Sequence, residues 1–164
     1  MLSLEDMLIR LGVAVLLGAA IGLEREFAGK DAGIRTDVVV SAGAAIFSII
    51  AITLPYIVSL SQSHLAEVIA GNSGFLAVIA NIVVGIGFLG GGIIVRQGIH
   101  VRSLTTAATV WLVAAVGVLC GIGLLTFAAF ATAGLVVILI VLRRIDMVSS
   151  EPSGNGKNRT AKGK

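Results

Sequence analysis

The sequence predicts an all-α membrane protein, a polytopic bundle of five transmembrane helices, and two observations carry that prediction. Five apolar runs, at about residues 7–23, 38–60, 75–95, 104–120 and 124–142, each approach the ~20 residues that a helix needs to cross a hydrocarbon core. Hydrophobic residues make up 57% of the 164-residue chain, which leaves little sequence for a soluble domain. Only helices and closed barrels satisfy their backbone polar groups in lipid, and continuous apolar runs select the helix.

The first run is preceded by Glu5 and Asp6, contains Arg10, lacks a basic start and ends in Gly22-Leu23-Glu24 rather than a small-x-small cleavage site. It is therefore expected to be a retained helix and not a removed signal peptide. The second and third runs carry no charge. The stretch 104–142 also carries none, and as a single helix it would extend about 58 Å, nearly twice the core thickness. Two helices joined by a tight turn at Gly121-Ile122-Gly123 fit instead. With five spans alternating, Arg25, Lys30, Arg35, Arg96, Arg102, Arg143, Arg144 and the cations of the tail fall on one side, and only Arg10 lies near the other. Basic residues in short loops stay cytoplasmic, so the amino terminus is expected outside and the carboxyl terminus inside. The transmembrane domain is expected over 1–145. Residues 146–164, rich in Gly, Ser, Asn and Lys with Pro152, cannot bury a core and are expected to form a disordered cytoplasmic tail, out of reach of glycosylation at Asn158-Arg159-Thr160.

Glycine spacing comes next. Gly18 and Gly22, Gly87 and Gly91, and Gly117 and Gly121 each lie four apart and share a helix face, which permits close helix approach in the absence of a hydrophobic driving force. The density of Gly85, Gly87, Gly90 and Gly91 makes the third helix the expected packing centre and a candidate for self-association. The same run contains GxGxxG from Gly85 to Gly90, but it lies inside an apolar span with no acidic residue ~20 positions on, so it is not a dinucleotide motif.

Polar residues bound the function. No acid occurs between Glu67 and Asp146, and Arg10 is the only cation inside an apolar run, so no carboxylate way station for ion transport is expected at the midplane. Thr36, Asn81, Thr105 and Thr106 are the polar membrane-face candidates, helpers to any carbonyl-lined site at the glycine run. Charge gathers in the segment 24–37. Glu24, Arg25, Glu26 and Arg35, facing Arg96 and Arg102 of the next inner loop, are expected to form a cytoplasmic charged cluster through Arg–carboxylate pairing. No catalytic constellation, metal site or cofactor is expected. Cys120 is the single cysteine and reads as a small packed residue, and His64 with Glu67 offers too few ligands. The basic residues lack interleaved aromatics, so no nucleic-acid partner is expected.

Several blocks occur in order: Gly18-Ala-Ala-Ile-Gly-Leu-Glu-Arg-Glu26, Gly33-Ile-Arg-Thr36 with Ser41-Ala-Gly-Ala-Ala-Ile-Phe47, Gly85-Ile-Gly-Phe-Leu-Gly-Gly-Gly92, Val101-Arg-Ser-Leu-Thr-Thr-Ala-Ala-Thr-Val-Trp111 and Gly117-Val-Leu-Cys-Gly121. Together, over about residues 11–142, they closely resemble the MgtC/SapB family of bacterial inner-membrane proteins. The resemblance implies a five-helix domain with a periplasmic amino terminus and a part in adaptation to magnesium limitation. It also implies action through other membrane proteins, such as the ATP synthase membrane sector or sensor kinases. A homodimer in the bilayer is expected. A small oligomeric channel or carrier with a glycine-lined path is the alternative. The chain departs from the family pattern at Ala77-Val-Ile-Ala-Asn81, where many members resemble Arg-Ile-Ala-Ala-Gln, at Ser103, where glycine is usual, and at Val84, where a small hydroxyl is common. Virulence-type members carry a soluble domain after the last helix, and this sequence is expected to be a short form without it. A transport ATPase is excluded as a reading, because neither a P-loop nor a loop long enough for a phosphorylated domain is present.

The charge partition makes one prediction. A cysteine introduced at His64 should react with an impermeant reagent in intact spheroplasts, and one at His100 should not; the reverse pattern would contradict the five-span orientation.

Overall fold

Among the described residues, five helices are long and apolar enough to cross a membrane. The structure, a computed structural model, describes residues 2–58, 74–97 and 100–149. The helices are α1 (Leu4–Phe27), α2 (Ile34–Val58), α3 (Gly74–Ile93), α4 (Leu104–Ile122) and α5 (Leu125–Ser149). A two-stranded antiparallel hairpin, β1 (Val95–Gln97) and β2 (His100–Arg102), joins α3 to α4, with Arg96 opposite Val101. The hairpin was not anticipated; it is three residues per strand and lies where only a loop was expected. His64, Glu67, the tail sequon and the Arg96 side chain fall outside the described residues.

Local chemistry sets the helix ends. Ser3 caps α1, its hydroxyl oxygen accepting from the Asp6 N–H at 3.1 Å, and Glu5 and Asp6 lie in the first turn, where acids suit the helix dipole. At the start of α2 the Ile34 N–H donates to Glu26 Oε2 at 3.1 Å, so a carboxylate from the preceding loop satisfies a free amide. The α4–α5 turn closes as the sequence predicts. Gly123 adopts φ 93°, and the N–H groups of Gly123 and Leu124 return to the carbonyls of Cys120 and Leu119.

Alternation of the helices is fixed by contacts at both ends of the bundle. At one end Arg143 Nη2 of α5 donates to the Phe27 carbonyl of α1 at 3.0 Å, and the Ser103 hydroxyl donates to Asp31 Oδ2. At the other, Arg10 Nη1 donates to the Gly121 carbonyl at 2.8 Å, so the cation in the first span ties down the carboxyl end of α4.

The core lies among α1, α2 and α4, and glycine makes it. A Cβ on Gly18 would sit 2.8 Å from the Asp37 carbonyl oxygen, and one on Gly22 would sit 2.5 Å from Ile34 Cα. From the opposite side a Cβ on Gly117 would overlap the Ser41 carbonyl oxygen, and one on Gly121 would lie 2.6 Å from that of Ala45. α2 is thus clasped between two GxxxG faces, on its own small residues Ser41, Ala44, Ala45 and Ser48. The Ser41 hydroxyl donates across to the Ala14 carbonyl at 2.8 Å, a bond available only at this separation. Cys120 is fully buried here, as a small packed residue should be.

This arrangement corrects the expectation that α3 is the packing centre. Gly85, Gly87 and Gly91 meet nothing within 4 Å, and Gly90 touches only Ala107 at ordinary van der Waals distance. α4 is the most buried span and α3 the least. Glycine density in α3 does not mark intramolecular contact, because a helix can carry glycine on a face that its own bundle leaves bare.

Leucine at Gly18 or Gly117 should therefore cost at least the ~1–3 kcal/mol of an overpacked core. Thermal unfolding in detergent checks this, with Gly87→Leu expected to change the midpoint little.

Candidate functional site

The charged residues of the segment 24–37 do not gather as one surface cluster. They divide. Glu24, Arg25 and Asp37 are buried, whereas Glu26 and Arg35 are exposed, and Arg102 is exposed as well. No ion pair within 4.0 Å joins any of them among the described residues, so the expected Glu24–Arg102 pairing is absent there. α2 begins at Ile34, four residues earlier than the apolar run, and this pulls Asp37 out of the loop and into the helix.

The buried group is built by the α1–α2 clasp. Gly22 offers no side chain, so α2 comes close enough for Asp37 Cβ to lie 3.2 Å from where a Gly22 Cβ would be. Arg25 follows three residues later on the same face of α1 and reaches past α2 to α4, where its Nη2 donates to Thr106 Oγ1 at 3.3 Å. Thr106, one of the polar membrane-face candidates, is buried, and its hydroxyl accepts from this guanidinium rather than lining the glycine run of α3. Thr36 is half-buried, and Thr105 and Asn81 are exposed. Thr109, next along α4 on the Thr106 side, is satisfied locally by the Thr105 carbonyl at 2.8 Å.

Hydrogen bonding in the group is incomplete. Asp37 is 0% exposed and both of its carboxylate oxygens lack a partner, as do Glu24 Oε2 and Arg25 Nε. Sequence reasoning left Asp37 out of the site because an acid just before an apolar run reads as loop. The signal that could have found it is spacing: Asp37 and Ser41, four apart, continue in small residues to Ala44, Ala45 and Ser48, a face suited to meet the glycines of α1 and α4.

Ser103 is the second local feature. It takes φ 67°, left-handed backbone that glycine occupies freely and a side chain enters at a cost, and its hydroxyl bonds Asp31 across the loops. A glycine at this position would relieve the backbone and lose the bond. Among the described residues no group of three or more His, Cys, Asp or Glu could hold a metal ion.

Comparison with known proteins places this architecture. The MgtC family model matches residues 11–148, which takes in α2, α3 and α4 whole, most of α1 and α5, and the buried group. The chain belongs to the MgtC family. It is 44% identical over 135 residues to Protein MgtC of Brucella abortus (strain 2308), covering 82% of this chain and 50% of that relative. It is 41% identical over 136 residues to Protein MgtC of Salmonella typhimurium (strain LT2), covering 83% and 52%. An uncharacterised protein of Synechocystis is 41% identical over 139 residues, 85% of this chain and 53% of its own length. The chain thus spans about half the length of the curated relatives it matches. No solved structure matches. The protein is a multi-pass membrane protein of MgtC type.

Removing the partner of a buried polar group costs about 1–3 kcal/mol, so Thr106→Val should destabilise the bundle by that amount while Arg102→Ala shifts it by less than about 0.5 kcal/mol. At Ser103, valine should cost a further ~1–2 kcal/mol over glycine, because only glycine enters the left-handed region freely. Denaturation series of the four variants in one detergent read both contrasts.

Proposed function

We propose that this protein is a non-enzymatic regulator in the bacterial inner membrane, with its amino terminus outside and its carboxyl terminus cytoplasmic. It acts by docking to a second copy of itself and to other membrane proteins in adaptation to magnesium limitation or related stress. One observation carries the docking: α3 presents a face that its own bundle does not use. Gly85 meets nothing within 4 Å, Asn81 one turn before it is exposed, and the Asn81 side-chain amide has no hydrogen-bond partner among the described residues. A primary amide facing hydrocarbon is costly until another helix satisfies it, and a bare glycine beside it lets that helix approach closely. Asn81 also lines an apolar groove of about 510 Å³ between α2 and α3, with Val39, Gly43 and Phe47 opposite. An amide donates and accepts at once, so the same residue from a second copy completes it across a two-fold axis.

The magnesium role follows the family, whose relatives carry the name MgtC. The orientation follows the basic residues of the α1–α2 connection and the carboxyl end of α5, which share one end of the bundle.

The test places single cysteines in a Cys120→Ser background. Asn81→Cys should form disulfide-linked dimers, or crosslinks to other membrane proteins, in native membranes, and Val137→Cys on the exposed face of α5 should form neither. Proteoliposomes of the purified protein should show no flux of ions. Absence of any crosslink at position 81 would remove the docking face, and flux from the protein alone would replace regulation with the channel or carrier reading.

A further inference from the structure

The buried group at the α1–α2 end is short of one positive charge. Glu24, Arg25 and Asp37 are each at least nine-tenths buried, and with both acids ionised their sum is one negative charge. Arg25 does not cancel Asp37 by contact. Its guanidinium is engaged by Thr106, and none of its nitrogens comes within 4.0 Å of the Asp37 carboxylate. No hydrogen-bond donor reaches Asp37 Oδ1 or Oδ2. An ionised carboxylate out of water, without a touching counter-ion and without a donor, is far costlier than the same group carrying a proton. An ionisable residue inside a membrane bundle marks a functional site by default.

We propose that Asp37 is a proton-binding site, its carboxyl group protonated in the folded protein at neutral pH. The choice of Asp37 over Glu24 rests on satisfaction. Glu24 has one unpartnered buried oxygen, whereas both oxygens of Asp37 are buried and unpartnered. The proton comes from water and leaves to water; no other bond is made or broken. The groups that face Asp37 define its response. From α1 these are Arg25, whose charge opposes the proton, and the bare surface of Gly18 and Gly22, with the Glu24 carboxyl buried beside Arg25 in sequence. On α4, Thr106, which holds the Arg25 guanidinium, does not titrate, and along α2 itself Arg35 is exposed. Loss of the proton at high pH puts a charge where α1 and α2 approach most closely, and it draws Arg25 from Thr106 toward Asp37. The site therefore couples protonation to the contact between α1 and α4.

Infrared spectroscopy of the full chain in lipid bilayers tests this directly, because the carbonyl stretch of a protonated carboxyl group stands apart from carboxylate and amide bands. At pH 7 the protein should show one such band, which Asp37→Asn removes and Glu24→Gln retains. Labelling the aspartates of the unmodified protein with carbon-13 at the side-chain carboxyl should shift that band, an assignment that holds even if Asp37→Asn fails to fold. No protonated-carboxyl band at pH 7, or one that Glu24→Gln removes and aspartate labelling leaves unmoved, would overturn the proposal. So would an ionised group whose thermal stability rises with sodium or potassium, since the bound cation would then be a metal ion.

Discussion

Everything in this bundle depends on how close α2 comes to its two neighbours. Between lipid-embedded helices there is no hydrophobic force to spend, because lipid tails are as apolar as leucine, and cohesion must come from contact itself. Gly18 and Gly22 on one side and Gly117 and Gly121 on the other remove the side chains that would hold α2 away, and its backbone is met at van der Waals distance from both sides. Small residues on α2 complete the fit. The Ser41 hydroxyl reaching the Ala14 carbonyl is a product of that separation, since a hydroxyl is too short to bridge helices packed on leucine. α4, with Val110, Val113, Val116 and Cys120 buried around its glycines, becomes the innermost span.

The same closeness explains where the charge went. An arginine and two acids near a helix end would ordinarily extend into the headgroup region. Here the missing side chain at Gly22 brings the first turn of α2 under Arg25, and Asp37 is enclosed before it can reach water. Arg25 then has two directions open to it, toward α2 or toward α4, and it takes the hydroxyl of Thr106. Burial of these groups is thus a consequence of helix packing, and any chemistry they perform is tied to the geometry of the clasp.

Much of this was legible in the sequence. The five spans follow from apolar length, and the turn at Gly121-Ile122-Gly123 from the need to divide an overlong run. The glycine pairs of α1 and α4 announce close approach, and Thr106 stood among the polar candidates. Two things were not legible, for a shared reason: periodicity reports that a face is small or apolar but not what lies against it. Gly87 and Gly91 have the same spacing as Gly117 and Gly121, yet only the second pair touches another helix. In water, exposure would penalise an apolar face and so reveal it; in lipid it does not, and α3 reads as central while sitting at the edge. Asp37 was hidden differently, by a helix that begins before its apolar run does. The Ser103 departure gained its meaning only from the backbone, where a residue in left-handed conformation occupies a place suited to glycine.

The bond from Arg10 to the Gly121 carbonyl spans 111 residues of sequence and has a bearing on how the protein is made. α1 leaves the ribosome long before α4 exists. Until then the guanidinium of Arg10 has only water and lipid headgroups to bond, and its long aliphatic stem lets it remain there while the rest of α1 lies in the membrane. Its final acceptor is created when the fourth span arrives and its carboxyl end turns at Gly123, against which the Arg10 side chain rests. The last step of assembly at this end is therefore a settling of the oldest helix onto one of the youngest, and a chain released before residue 121 would hold its first span only through the α2 clasp, with the Arg10 end untied.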